Sequence, residues 1–152
     1  MNIDGHTTPL GLLGWPVSHS LSPVMHNAAA EALEVDAVYL PLPVKPEQLP
    51  EAVRGLAALG IAGVNVTVPH KETVMPFLDS LANEATVIGA VNTIVVNQNG
   101  RLEGFNTDWS RFLADLAAID LPLLDRDCLI LGAEWLRTKT IVHMRCCRQT
   151  AG

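Results

Sequence analysis

The chain has 152 residues, 49% of them apolar and 17% charged. That is enough to bury one good core, and the balance lies far from the disordered regime. The net charge of −6 hides an asymmetry, because residues 1–133 carry 6 Lys/Arg against 15 Asp/Glu while residues 134–152 carry 4 against 1. An acidic body lacks the basic footprint that nucleic-acid binding needs, and the positive charges of the tail are neither clustered nor repeated. No apolar run is long enough to cross a bilayer. The start, Met1-Asn2-Ile3-Asp4-Gly5-His6, has no basic segment followed by an apolar stretch, so no secretory signal is expected. Three cysteines, two of them adjacent at Cys146 and Cys147, give neither an even disulfide framework nor metal-ligand spacing. The expectation is a soluble, cytoplasmic protein with no membrane, nucleic-acid or metal partner.

Strand and helix signals alternate along the chain, which predicts an α/β domain. Leu10-Gly11-Leu12-Leu13-Gly14 is a short apolar run that breaks at Trp15-Pro16, as a buried strand does on entering a loop. Ser22-Pro23 is a helix start, with Ser as cap and Pro in the first turn, and the Ala-rich stretch from Asn27 to Leu33 continues it. Ala37-Val38-Tyr39-Leu40-Pro41-Leu42 reads as the next strand, and its proline points to a sheet edge. Leu49, Val53, Leu56 and Leu59 share one helical face, with Gly60 as the stop. Residues 61–68 form a third strand, and Pro69 opens another helix. Segments 90–96 and 101–105 flank Asn99-Gly100, a tight-hairpin signal that makes the sheet mixed. Thr107-Asp108 caps a helix whose apolar face holds Phe112, Leu113 and Leu116, and residues 127–131 are a last strand.

Two polar islands carry the chemistry. Asn65-Val66-Thr67-Val68-Pro69-His70-Lys71 and Asn106-Thr107-Asp108 supply an amine and a carboxylate beside several neutral hydrogen-bonding groups. Such a mixture suits redox chemistry on a small polyhydroxylated acid. Lys71 falls in the first turn of a helix, where a cation opposes the dipole by about 0.3–1 kcal/mol. A local rule broken without evident gain marks functional positions, but a solvated lysine offset by adjacent Glu72 explains the residue equally simply. Asp108 is a natural helix cap, and capping leaves a carboxylate further acceptor sites for a ligand. With Ser22 engaged as a cap, Ser20 is the freer hydroxyl. Asn65, Thr67 and Asn92 sit at predicted strand ends, where ligands bind in open α/β sheets; edge or turn hydrogen bonding is the structural alternative. His19, His26 and His70 read as packing or exposed histidines.

Taken in order, Gly14-Trp15-Pro16-Val17-Ser18-His19-Ser20-Leu21-Ser22-Pro23, Asn65-Val66-Thr67-Val68-Pro69-His70-Lys71, Gly89-Ala90-Val91-Asn92-Thr93 and Asn106-Thr107-Asp108 resemble the signature segments of shikimate dehydrogenase, over about residues 8–133. The resemblance implies a three-layer α/β/α substrate domain with a mixed, mostly parallel sheet over residues 1–120, followed by a Rossmann domain that binds NADP(H). It implies reversible reduction of 3-dehydroshikimate to shikimate on the way to chorismate and the aromatic amino acids, and leaves the oligomeric state unspecified. Ser20 and Ser22 would bind the substrate carboxylate. Asn65, Thr67, Asn92 and Asp108 would bind ring hydroxyls, and Lys71 with Asp108 would form the catalytic pair. A protonated Lys71 gives its proton to the developing alkoxide in reduction and must first lose it in oxidation, so oxidation should run faster at alkaline pH. Trp109 and Arg111 depart from the small residues usual after the Asn-Thr-Asp segment, which leaves fine preference open, with quinate or another polyol acid as the rival substrate.

Residues 121–133 read as the start of the cofactor domain, with Gly132 and Ala133 as the remnant of its glycine-rich turn. There the backbone must approach a pyrophosphate, which excludes bulk and negative charge. The chain has Glu134-Trp135-Leu136-Arg137 instead, and 134–152 is short of the roughly 30 residues of a βαβ unit. Glu-Trp-Leu-Arg-Thr can be written GAG TGG CTC CGC ACG, which read one base later gives Ser-Gly-Ser-Ala-Arg. The expectation is a one-base insertion near codon 134, an out-of-frame tail to Gly152, a missing Rossmann domain and no NADP(H) binding. The chain would then be inactive or weakly active alone, a non-catalytic shikimate-binding fragment, or a decayed product.

Overall fold

The computed structural model describes residues 2–118. The strands are β1 (Thr8–Gly14), β2 (Ala37–Pro43), β3 (Gly63–Val66), β4 (Ser80–Leu81), β5 (Thr93–Val96) and β6 (Leu102–Phe105). The helices are α1 (Ser22–Ala32), α2 (Leu49–Ala58), α3 (His70–Thr73), α4 (Asn83–Ile88) and α5 (Thr107–Ala118). The chain divides into a unit ending at Asn106 and a second unit beginning at Thr107, so that the sheet and α1–α4 lie in the first and α5 in the second. The expected strand 127–131, the Gly132-Ala133 turn and the 134–152 tail lie outside the described residues, as do the side chains of Trp109, Phe112, Leu113 and Leu116.

One six-stranded sheet runs in the order β2-β1-β3-β5-β6-β4. β1 pairs parallel with both β2 and β3, β5 is antiparallel to β3 and β6, and β4 is parallel to β6. Only β5 opposes the rest, so the expected mixed, mostly parallel sheet is what forms. Alternation along β1 sorts the two cores. Leu13 packs with Val64, Val66 and Ile94 against Leu49, Val53 and Leu56 of α2, while Leu12 packs with Val17 and Tyr39 on the opposite face. On that second face Asn27 of α1 bonds the Tyr39 backbone. The result is three layers.

The expected edge strand is β2, at one end of the sheet. Gly60 stops α2 with φ of +70°, a conformation that costs glycine nothing. Four sequence expectations need correction. Leu59 follows the last helical residue and is 72% exposed, so the buried face ends at Leu56. Ser22 is the first residue of α1 and makes no cap bond; Ser20 Oγ accepts the Ser22 N–H at 3.2 Å and donates to Ser22 Oγ at 3.1 Å. Helix α3 has four residues, too few for a dipole that would strain Lys71 appreciably. The β5–β6 turn spans 97–101 rather than two residues, because Asn97 Oδ1 accepts the N–H groups of Asn99 and Arg101 and widens it. Short β4 and α4 were unmarked in the sequence, which has no sustained period there.

Leu13 is fully buried in the central strand. Leu13→Ala should therefore cost about 2–5 kcal/mol in denaturant melts, whereas Leu59→Ala should stay within about 0.5 kcal/mol.

Candidate functional site

In the order β2-β1-β3, the chain leaves β1 for α1 on one face of the sheet and leaves β3 for α3 on the other. Loops that depart to opposite faces from adjacent parallel strands open a crevice at their carboxyl ends, the usual ligand position in such sheets. Here the two loops are stitched together at their bases. Thr67 N–H donates to Leu13 O at 2.9 Å, and Trp15 N–H donates to Val68 O at 3.1 Å. Gly14 sits between them, where a Cβ would collide with Thr67 Cγ2 and lie 3.2 Å from Val68 O. Both loops carry a cis proline, Pro16 and Pro69.

Antiparallel β5 starts at this same end, since Thr93 pairs with Asn65. Asn92, just before it, accepts the Val66 N–H on its carbonyl at 2.8 Å and donates its own N–H to Phe105 O at 3.0 Å. The Lys71 carbonyl accepts the Val91 N–H at 2.7 Å, tying α3 to the approach to β5. Asn106, at the end of β6, donates from Nδ2 to Ala90 O at 3.0 Å. Asn65, Thr67, Lys71 and Asn92 thus gather at one end of the sheet, and the Ser20–Ser22 pair lies on the loop leaving β1 there. Asp108 is exposed in the first turn of α5, in the second unit, and Arg111 is an exposed residue of the same helix.

The side chains form a connected set. Tyr39 Oη donates to Asn65 Oδ1 at 2.7 Å, Asn65 Nδ2 donates to Thr93 Oγ1 at 3.3 Å, and Thr93 Oγ1 donates to Asn92 Oδ1 at 3.0 Å. Sequence reasoning missed Tyr39 and gave no individual role to Thr93 or Asn106, although both lie in segments it singled out. Tyr39 carried a signal, being the chain's one tyrosine on a strand otherwise built from aliphatics and proline. His70 is fully buried with Nε2 2.7 Å from Val44 O, and His26 stacks on Tyr39, so both are packing residues as expected. Among the described residues no group of three or more His, Cys, Asp or Glu could hold a metal ion, and no helix is long and apolar enough to cross a membrane.

A cavity of about 230 Å³ lies against the sheet beside Leu10, His26, Tyr39, Gly63, Asn65 and Thr93. Leu10, Tyr39 and Gly63 are level in register, two positions before Asn65, so this space extends from Asn65 and Thr93 towards the amino ends of β1 and β3. Its mainly aliphatic lining does not suit a polyhydroxylated acid. The crevice end, with hydroxyls, carboxamides and one ammonium, does.

An α/β domain with a polar crevice at its topological switch point is a small-molecule binding domain by construction. Residues 12–94 match the family described as shikimate dehydrogenase substrate binding domain. The chain is 50% identical over 133 residues to the shikimate dehydrogenase (NADP+) of Carboxydothermus hydrogenoformans, covering 88% of this chain and 47% of that protein. It is 59% identical over 132 residues to that of Thermococcus kodakarensis, covering 86% and 47%. The crystal structure of shikimate 5-dehydrogenase from Listeria monocytogenes, in complex with shikimate and NAD, superposes with a TM-score of 0.73 at 39% identity, over 78% of this chain and 41% of that one. The chain belongs to the shikimate dehydrogenase family and contains its substrate-binding domain. It spans about half the length of the curated relatives it matches.

Burial pushes the Tyr39 phenol from its usual 10 up to about 12. The unfolded chain releases this proton near pH 10 and the folded chain holds it, so the unfolded form gains as pH rises from 10 towards 12. Stability should fall across that window in the wild type more than in Tyr39→Phe. Since Tyr39 is the chain's one tyrosine, tyrosinate absorbance should report a midpoint near 12 while the chain is folded and near 10 in denaturant.

Proposed function

We propose that this chain is the substrate-holding part of an NADP-dependent shikimate dehydrogenase, which interconverts 3-dehydroshikimate and shikimate. Ser20 and Ser22 hold the substrate carboxylate through their hydroxyls. Asn65, Thr67 and Asn92 hydrogen-bond the ring hydroxyls, and Asp108, two residues beyond Asn106 in the chain, joins them. The observation that carries the reading is the gathering of Asn65, Thr67, Lys71 and Asn92 at one sheet end, with the serine loop leaving the same end.

The chemistry asks little more of these residues. NADPH, when bound to the complete enzyme, supplies a hydride to the carbonyl carbon. The Lys71 ammonium gives its proton to the oxygen as charge develops there, becomes a neutral amine and is reprotonated from solvent. Asp108 is the second member of the catalytic pair that the family resemblance implies. In oxidation Lys71 must start neutral, so that direction runs faster at alkaline pH.

Glu134 and Trp135 after Gly132-Ala133 favour a second reading, in which this chain binds shikimate but transfers no hydride, because a carboxylate and an indole oppose a pyrophosphate. Two assays decide. Shikimate at one hundred times its Kd should stabilise the chain by about 2.7 kcal/mol in thermal melts, and no shift at any concentration would reject substrate holding. NADPH oxidation with 3-dehydroshikimate should give no rate on the second reading, and measurable turnover would discard it. Asn65→Ala should weaken shikimate binding by about 1–3 kcal/mol, read by calorimetry, as a buried hydrogen-bonding group is lost.

A further inference from the structure

All four groups in the Tyr39–Asn65–Thr93–Asn92 chain can be reversed in principle. A carboxamide can turn over, exchanging its acceptor oxygen for its donor nitrogen, and a hydroxyl can rotate its hydrogen. The orientation nonetheless decides what the crevice offers a ligand, because a carboxamide oxygen and a carboxamide N–H select opposite partners.

The phenol resolves this ambiguity. Suppose the chain ran backwards, from Asn92 through Thr93 to Asn65 and on to Tyr39. The phenol oxygen would accept from Asn65, and its own proton would be left against the mainly aliphatic cavity beside Leu10, with no acceptor among the described residues. Tyr39 is 6% exposed, and Asn65 is the one hydrogen-bond partner of its hydroxyl among the described residues. A buried donor without an acceptor is costly, so Tyr39 donates. Asn65 must then turn Oδ1 towards Tyr39 and Nδ2 towards Thr93. Thr93 Oγ1 accepts from Asn65 on a lone pair and keeps its single hydrogen to donate onward to Asn92 Oδ1. The three links run in one common direction, and the phenol is its origin.

We propose that Tyr39 is a positioning residue whose hydroxyl sets the polarity of this chain, so that Asn65 presents its second Nδ2 hydrogen, a donor, to an oxygen of the bound substrate. The inference rests on Asn65 being a substrate-binding residue. The ring is itself held rigidly. Asn27 of α1 grips the Tyr39 backbone twice, accepting its N–H at 2.8 Å and donating to its carbonyl at 3.0 Å, as a neighbouring strand would on the open side of β2. The His26 imidazole stacks on the phenol at 4.3 Å between centroids and 19° between planes. Burial keeps the phenol protonated to about pH 12, so the donor persists throughout the working range. The ligand class that fits is an oxygen acceptor, a hydroxyl lone pair or a carbonyl, and not an ammonium or amide N–H.

The test uses the 152-residue chain and calorimetric titration with shikimate. Tyr39→Phe and Thr93→Val should each weaken binding about tenfold. The double variant should be no weaker than about the worse of the two, because both cut one chain; fully additive losses would mean that Tyr39 acts by packing alone and would overturn the proposal. Val53→Ala, in the core on the other face, should lower the melting temperature and leave affinity unchanged. If the wild type shows no shikimate binding, substrate holding has failed rather than the chain's polarity, which is then read without ligand from side-chain amide resonances. Tyr39→Phe should move the Asn92 NH2 pair as well as that of Asn65, and a change confined to Asn65 overturns the relay. Should Tyr39→Phe fail to fold, Thr93→Val reads the same chain from its middle by moving both amide pairs, and a shift in neither rejects it.

Discussion

A closed circuit of hydrogen bonds joins the carboxyl ends of β1, β2 and β3 to the start of α3. Gly14 O accepts the Val44 N–H, Val44 O accepts the His70 ring, His70 N–H donates to Thr67 O, and Thr67 N–H donates to Leu13 O. The candidate ligand groups on the segments that leave β1 and β3 are positioned from this circuit. The loop with Ser20 and Ser22 departs from one side of it, Thr67 belongs to it, and Lys71 follows His70 directly. Gly14 lacks a side chain because the circuit leaves no volume for one. His70, which carries no proposed chemistry, is the buried pin that fixes the turn before the lysine.

Reversal of a single strand completes the site. Had β5 run parallel to β3, its first residues would have lain at the far end of the sheet. As an antiparallel strand it brings Asn92 and Thr93 beside Asn65 and Val66, so that side chains about 27 residues apart in the chain become neighbours. This is also why a hairpin follows: β5 must turn back at 97–101 for β6 to bring Asn106 to the crevice end.

The site consists mostly of neutral groups. On the proposed function, serine hydroxyls, carboxamides and a threonine would distinguish a polyhydroxylated ligand by the direction of hydrogen bonds rather than by charge, and such recognition is only as exact as the orientation of each group. That places weight on residues behind the crevice surface. Asn27, His26 and Tyr39 reach no proposed ligand atom, yet they hold the one phenol whose proton orders the polar set. Membership of the shikimate dehydrogenase family accounts for the residues at the rim, and packing on the α1 face accounts for their orientation.

Much of this was legible in the chain itself, because local physics acts locally. Apolar runs and proline breaks located β1 and β2, the spacing of Leu49, Val53 and Leu56 located α2, and Gly60 marked its end by the backbone angle it alone takes cheaply. The polar islands stood out because strand ends facing a ligand keep hydrogen-bonding groups that a core would exclude. What local physics could not decide was which hydroxyl is occupied, and by what. The Ser-Pro pattern assigned the cap to Ser22, yet Ser20 takes the N–H, since the loop from Pro16 aims it there. Leu59 matched the helical period and is exposed, because the helix ends before the period does. The Tyr39–Asn65–Thr93–Asn92 chain joins residues from three strands and a loop, and its direction depends on whether a phenol has a second acceptor within reach. Only the folded arrangement settles that, because hydrogen-bond polarity belongs to a set of neighbours and no single residue in the sequence carries it.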